Sequence, residues 1–173
     1  MPRIDKIDRR TDVVFLLFHH AKKIRGVTKV QKLLFLIEKE TEFFDEYKES
    51  IAFNFAPYKM GPFSEHVYEE LEFLLGLDAI EATSLDEPVR AHTDQDLGQK
   101  EFTITPKGEK IASQLSSQLE SKYDDEIADI VQSYNNKPLK DLLKYVYQEY
   151  PDYAANSEII TDLGLEGKVT TTN

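Results

Sequence analysis

The sequence predicts a mainly α fold with a small β-wing, namely a winged helix-turn-helix-like core followed by C-terminal helices. Three observations favour this class. Apolar residues recur at helical spacing along most of the chain, alternating patterns are confined to short segments, and Thr105 with Pro106 begins a helix directly after the last of these. The predicted order is helix, helix, strand, helix, strand, loop, strand and helix, which is the order of a winged helix.

Two helices are predicted near the start of the chain. Thr11 or Asp12 caps the first helix, and Gly26 ends it. Thr28 caps the second, in which apolar residues at helical spacing predict one buried stripe. The charged residues expected on its solvent face are Lys29, Lys32, Glu38 and Lys39.

The next segment changes from helical to alternating periodicity. Residues 51–55 alternate in hydropathy and predict a short strand, and the Gly-Pro pair at 61–62 predicts a turn. Ser64 is a favourable N-cap for a third helix, which extends to about Leu75.

The second half of the chain is predicted to contain the wing and three further helices. The wing consists of strands at 79–84 and 101–104, joined by a polar loop at 86–100. Thr105 caps the fourth helix with Pro106 at its first position. Two more helices are predicted at 124–134 and 139–150, with Pro151 ending the last one.

The last helix has the clearest apolar stripe, formed by Leu139, Leu142, Leu143, Val146, Tyr147 and Tyr150. This stripe either completes the core or pairs with a second copy in a homodimer. The predicted organisation is a winged-helix-like domain at 1–120, a helical extension packed on it at 121–160, and a flexible tail at 161–173.

Three segments together resemble the Panacea domain family, also described as SocA-like. They are 27–36 with its Lys-Gln-Lys-Leu-Leu run, 55–64 with its Tyr-x-x-Gly-Pro turn, and 74–80 followed by Thr-Pro-Lys-Gly at 105–108. The resemblance covers residues 10–120. It implies a small prophage- or defence-associated protein, and several members of that family are antitoxins that neutralise a toxin by direct contact. The turn departs from the family pattern because it lacks a second aromatic residue.

The charge of the third helix argues against the usual docking of a winged helix on DNA. The predicted helix carries four glutamates and no lysine or arginine, so it would face the phosphates with a charge of −4. It also lacks the Arg, Lys, Asn or Gln side chains that read base edges. We therefore expect a protein partner, for example a toxin or defence component, bound by Tyr58, Met60, Phe63, Glu65, Glu69 and Glu72.

The uneven charge of the chain keeps a DNA-binding transcriptional regulator open as an alternative. The 173-residue chain has a net charge of −11, but residues 1–32 carry +6 and the remainder −17. A basic N-terminal region can contact phosphates without reading the base sequence. The residues in question are Arg9, Arg10, Lys22, Lys23, Arg25, Lys29 and Lys32.

No enzyme motif is present in the sequence. There is no cysteine, no glycine-rich phosphate loop, no Gly-x-Ser-x-Gly elbow and no His-Glu-x-x-His spacing. We therefore expect a non-catalytic protein with no cofactor and no metal. The longest apolar run near the start, Val13 to Phe18, is too short for a membrane span or a signal-peptide core, so a cytoplasmic location is expected.

Overall fold

The computed structural model describes residues 9–58, 61–84 and 100–154, with the backbone alone at 46–50. Within this part of the chain the fold is mainly helical with a small antiparallel sheet. The helices are α1 (Arg10–Ala21), α2 (Val27–Glu40), α3 (Glu42–Ile51), α4 (Glu65–Gly76), α5 (Pro106–Gln118), α6 (Ser121–Tyr134) and α7 (Leu139–Glu149). The strands are β1 (Lys23–Arg25), β2 (Ala56–Tyr58), β3 (Gly61–Phe63), β4 (Ile80–Ser84) and β5 (Lys100–Ile104).

The strands predicted at 79–84 and 101–104 are confirmed at Ile80–Ser84 and Lys100–Ile104, and a third strand joins them. β4 pairs with β5 in an antiparallel register that places Ile80 opposite Ile104, and β1 adds to the other side of β5. The sequence pattern does not predict β1. Helix α1 ends before Gly26 because Lys22 adopts a left-handed conformation (φ 66°) and turns the chain into the strand.

The strand predicted at 51–55 is wrong. Ile51 is the last residue of α3, and Asn54 has φ 58°, which interrupts an extended segment. The observed strands lie further along as the β2–β3 hairpin, in which Ala56 is paired with Phe63. Alternating apolar residues occur here because Ile51 and Phe53 are buried in the core, without a strand partner.

Helix starts were predicted correctly where a side-chain cap exists. The hydroxyl of Ser64 accepts a hydrogen bond from the amide of His66, and that of Thr105 accepts one from Gly108. By contrast, Thr11, Asp12 and Thr28 are not caps but buried helical residues. The helices there begin after Arg9 and Gly26, which satisfy no helix amide through a side chain.

Helix α2 lies at the centre of the fold rather than at its surface. Every residue from Val27 to Ile37 is buried, so the predicted solvent face does not exist at Lys29 and Lys32. Helices α6 and α7 both pack against α2. The stripe of α7 buries Leu142, Leu143, Val146 and Tyr147, and these side chains complete the core.

Some predictions concern residues that the structure does not describe. Met60, the wing loop before Lys100 and the tail at 161–173 are outside the described residues. In the described part of the chain, no helix combines the length and apolar character needed to cross a membrane.

Candidate protein-interaction surface

Helix α4 presents an acidic face with an aromatic side chain beside the carboxylates. We define this acidic face as Glu65, Glu69, Glu72 and Phe73, all of which are exposed. At about 100° per residue these four positions fall within roughly 100° of arc on the helix. The helix contains no lysine or arginine that would neutralise the face.

The local sequence explains why this face points outward. Val67, Leu71 and Leu74 are fully buried and direct the opposite side of α4 into the core. Ser64 caps the first turn, and Glu65 in that turn is favoured by the helix dipole. Packing and capping therefore fix which α4 residues remain in solvent.

Phe73 is the residue that the sequence reasoning missed. It is 50% exposed, more than Tyr58 at 37%, and these two are the large apolar side chains found exposed in the described residues. The sequence did contain a signal for its exposure. Phe73 follows Glu72 directly and lies outside the apolar stripe of Val67, Leu71 and Leu74. An exposed aromatic side chain surrounded by charge is typical of an interaction site.

Among the described residues, the carboxylates of the acidic face have few intramolecular partners. Across the described ranges, no hydrogen bond or ion pair involves the side chains of Glu65 or Glu72, and Glu69 lies 2.8 Å from the ring of His66 on the same helix. Glu70, the fourth glutamate of α4, instead accepts a hydrogen bond from Thr11 of α1. Three of the four glutamates of α4 therefore point into solvent, and the fourth, Glu70, links α4 to α1.

The β2–β3 hairpin places two more predicted partner residues next to the start of α4. Tyr58 is exposed, and its ring centroid lies 5.1 Å from that of Phe63. Phe63 is half-buried, with its ring centroid 5.6 Å from that of Tyr68. Tyr58 is thus an accessible side chain, whereas Phe63 also supports the hairpin.

Two residues of the predicted DNA-contacting set are buried, which corrects the prediction for them. The ammonium of Lys29 donates to the backbone carbonyls of Asn135 and Lys137, each at 2.9 Å, at the end of α6. Lys32 is fully buried and donates to the carbonyl of Pro62 at 2.9 Å. Burial lowers the pKa of Lys29 and lowers that of Lys32 strongly. Neither side chain is available to a phosphate.

Most other members of that set have partners within the chain. Lys22 lies 2.8 Å from Glu109, Lys23 lies 3.8 Å from Glu101, and Arg9 lies 3.5 Å from Asp12. Arg10 donates to the backbone carbonyl of Ala52. Arg25 is exposed, with no ion pair in the described part of the chain. Three of the seven predicted cations are therefore paired with a carboxylate of the chain, and Arg10 is bound to a backbone carbonyl.

His19 and His20 connect α1 to two other helices. His19 lies 2.7 Å from Glu109 on α5, and His20 lies 2.9 Å from Asp124 on α6. Burial alone would raise the pKa of Glu109, but the hydrogen bonds and charges of Lys22 and His19 outweigh it and lower that pKa. No group of three or more potential metal ligands occurs within residues 9–58, 61–84 and 100–154.

An open pocket of about 520 Å³ lies between the end of α6 and helix α7. It is lined by Ser133, Tyr134, Lys137, Asp141 and Tyr145. The hydroxyls of Tyr145 and Tyr150 both donate to Glu40, at 2.7 and 2.8 Å. Burial and these bonds raise the pKa of both tyrosines. The tyrosines therefore stay protonated and tie α7 to α2.

Comparison of the chain with protein-family models, curated proteins and solved structures finds no match. The function must therefore be argued from the chemistry of the surface itself. The acidic face of α4 and the adjacent Tyr58 are the features that support a specific proposal.

Proposed function

We propose that the protein is a non-catalytic interaction protein, an antitoxin-like or defence- and prophage-associated regulator that binds a basic protein surface. One observation carries this proposal. Phe73 is half exposed on the same face of α4 as Glu65, Glu69 and Glu72, and the helix contains no lysine or arginine. The antitoxin-like character comes from the resemblance of the sequence segments to the Panacea family.

The arrangement supplies both components of a protein interface. An aromatic anchor provides buried apolar area once a partner covers it, and it loses little side-chain entropy on binding. Carboxylates around it attract lysines and arginines, which raises the association rate and selects a basic partner. Tyr58 on the hairpin extends the same surface beyond the start of α4.

A winged-helix arrangement is part of the proposal. In this scheme α1, α2 and α4 form the three-helix core, α3 and the hairpin are inserted before α4, and β4 and β5 form the wing. The sheet order β1-β5-β4 supports the scheme, since the first short strand packs beside the wing hairpin. Helix α4 then occupies the position of the DNA-reading helix, and its carboxylates would repel phosphates.

The DNA-binding alternative is weakened rather than supported by the geometry. Lys29 and Lys32 are buried in the core and cannot contact DNA. Arg25 is exposed and has no ion pair among the described residues. Phosphate contacts from so few free cations would give weak, salt-sensitive binding. We therefore retain a protein partner as the single proposal.

The test is site-specific photo-cross-linking in the native host. A photoreactive phenylalanine analogue at position 73 is expected to capture one protein whose surface is basic. The same analogue at Gln148, an exposed position on α7, serves as the matched control. Captured nucleic acid, or identical products at both positions, would contradict the proposal.

Charge reversal then tests the chemistry of the contact. Changing Glu65, Glu69 and Glu72 together to lysine is expected to weaken binding of the captured protein at least about 100-fold. The control reverses the same number of exposed carboxylates elsewhere: Glu81, Asp129 and Glu149. Equal loss in both triple variants would show that only net charge matters. Partial rescue by lysine-to-glutamate changes in the partner would identify the paired surface.

A further inference from the structure

The chain between the β2–β3 hairpin and α4 is held by polar side chains of the buried helix α2. The side-chain amide of Gln31 donates to the carbonyl of Ser64 and accepts from its amide, both at 3.0 Å. Lys32, the next residue, donates to the carbonyl of Pro62 at 2.9 Å. We call Gln31 and Lys32 the α2 clamp.

The α2 clamp acts at the junction of the two parts of the proposed surface. Pro62 belongs to β3, which pairs with the strand that carries Tyr58. Ser64 is the N-cap of α4 and also donates its hydroxyl to the carbonyl of Phe53. The clamp therefore fixes the hairpin and the first turn of α4 to the same core helix.

Close packing restricts the hairpin further. Gly61 has φ 89°, and a Cβ at this position would lie 2.8 Å from a ring carbon of Tyr147 and 3.3 Å from Cε of Lys32. Only glycine fits this conformation and this space. The stem of Lys32 and the ring of Tyr147 thus pack directly against the strand whose carbonyl the ammonium binds.

The burial of Gln31 and Lys32 is best explained by their holding the backbone of residues 62 and 64 in position. Burial of a lysine and a glutamine carries a desolvation cost, and apolar side chains of similar volume often stabilise a core equally well. Hydrogen bonds are directional, unlike apolar contacts, and therefore constrain the backbone groups that take part in them. All three bonds described for the clamp go to backbone atoms of residues 62 and 64.

We propose that Gln31 and Lys32 are positioning residues that hold Tyr58 of the hairpin and Glu65 of α4 in the geometry that the partner binds. This inference rests on the proposed function for its binding consequence. Its structural consequence is independent of that function: the hairpin should become mobile when the α2 clamp is removed.

Hydrogen exchange of the free protein tests the structural part. In Lys32→Met and Gln31→Leu, amides in residues 53–66 are expected to exchange about tenfold faster, while those of α6 keep wild-type rates. Gln31→Asn, which shortens the side chain by one methylene and buries no charge, is a milder variant that covers a failure of the others to fold. Ile127→Val, a buried change in α6, is the matched control for general destabilisation.

Two results would contradict the proposed role of the α2 clamp. One is unchanged exchange at 53–66 in all clamp variants that fold. The other is equal acceleration in every buried helix, as general destabilisation would produce. Neither result would bear on the proposed binding function of the acidic face of α4, which cross-linking at position 73 tests separately.

Affinity for the protein captured at position 73 tests the binding part. Clamp variants are expected to weaken it about tenfold, with Ile127→Val close to wild type. A mobile hairpin with unchanged affinity would overturn the positioning role alone. Absence of any partner for the wild-type chain would instead refute the proposed function, and the exchange result would stand.

Discussion

Two lysines of α2 and three glutamates of α4 lie in opposite environments. Lys29 and Lys32 of α2 lie inside the protein and bind backbone carbonyls, whereas the glutamates of the acidic face on α4 remain in solvent. The difference follows from what surrounds each helix. The end of α6 and strand β3 offer carbonyl groups to long, flexible ammonium side chains, and nothing comparable faces Glu65 or Glu72 among the described residues. A charged side chain in an amphipathic pattern is therefore not by itself a sign of solvent exposure.

The largest expected difference between the two helices is in how charge reversal changes the free energy of unfolding. Lys32→Glu would bury a carboxylate against the carbonyl of Pro62, so we expect a loss of about 3–5 kcal/mol in the free energy of unfolding. Glu72→Lys is exposed and should change it by less than about 0.5 kcal/mol. Urea denaturation followed by circular dichroism measures both. Similar losses in the two variants would contradict the contrast between the helices.

The alkaline pH dependence of stability should also distinguish the buried lysine. Burial lowers the pKa of Lys32 in the folded protein, so the unfolded chain binds more protons between that value and its ordinary pKa of about 10.4. The free energy of unfolding then rises with pH in this window, by at most about 1.4 kcal/mol per pH unit. Below the window both states hold the proton, and the slope from this residue disappears.

Lys32→Met is the comparison that isolates this contribution. The difference in unfolding free energy between wild type and variant should grow in favour of wild type as pH rises through the window. Measurements below about pH 9 keep the tyrosines of the unfolded chain, whose ordinary pKa is about 10, at least about 90% protonated. Parallel curves for the two proteins would show that the burial of Lys32 is not linked to its protonation.

The sequence predicted the parts of the fold that depend on local chemistry. Ser64 and Thr105 cap helices as expected because their hydroxyls bind amides two or three residues away. The apolar stripe of α7 was recognised for the same reason, since its period is local. The exposed acidic positions of α4 followed from the buried residues between them.

The missed features depend on residues far apart in the chain. Lys29 and Lys32 are buried because their acceptors are at Asn135, Lys137 and Pro62, which no pattern within α2 can indicate. Strand β1 forms because β5 lies beside it, with Ile24 opposite Phe102. Periodicity describes one helix or strand at a time and does not reveal such partners.

The smallest expected effect concerns Phe73, the aromatic residue at one edge of the acidic face. Phe73→Ser should change the free energy of unfolding by less than about 0.5 kcal/mol, because half of the side chain is already in solvent. The buried neighbour provides the control: Leu74→Ala should cost about 2–5 kcal/mol. Urea denaturation of the two variants measures this difference directly. A large loss for Phe73→Ser would mean that the ring supports the fold, which would contradict its proposed role as an exposed contact for a partner.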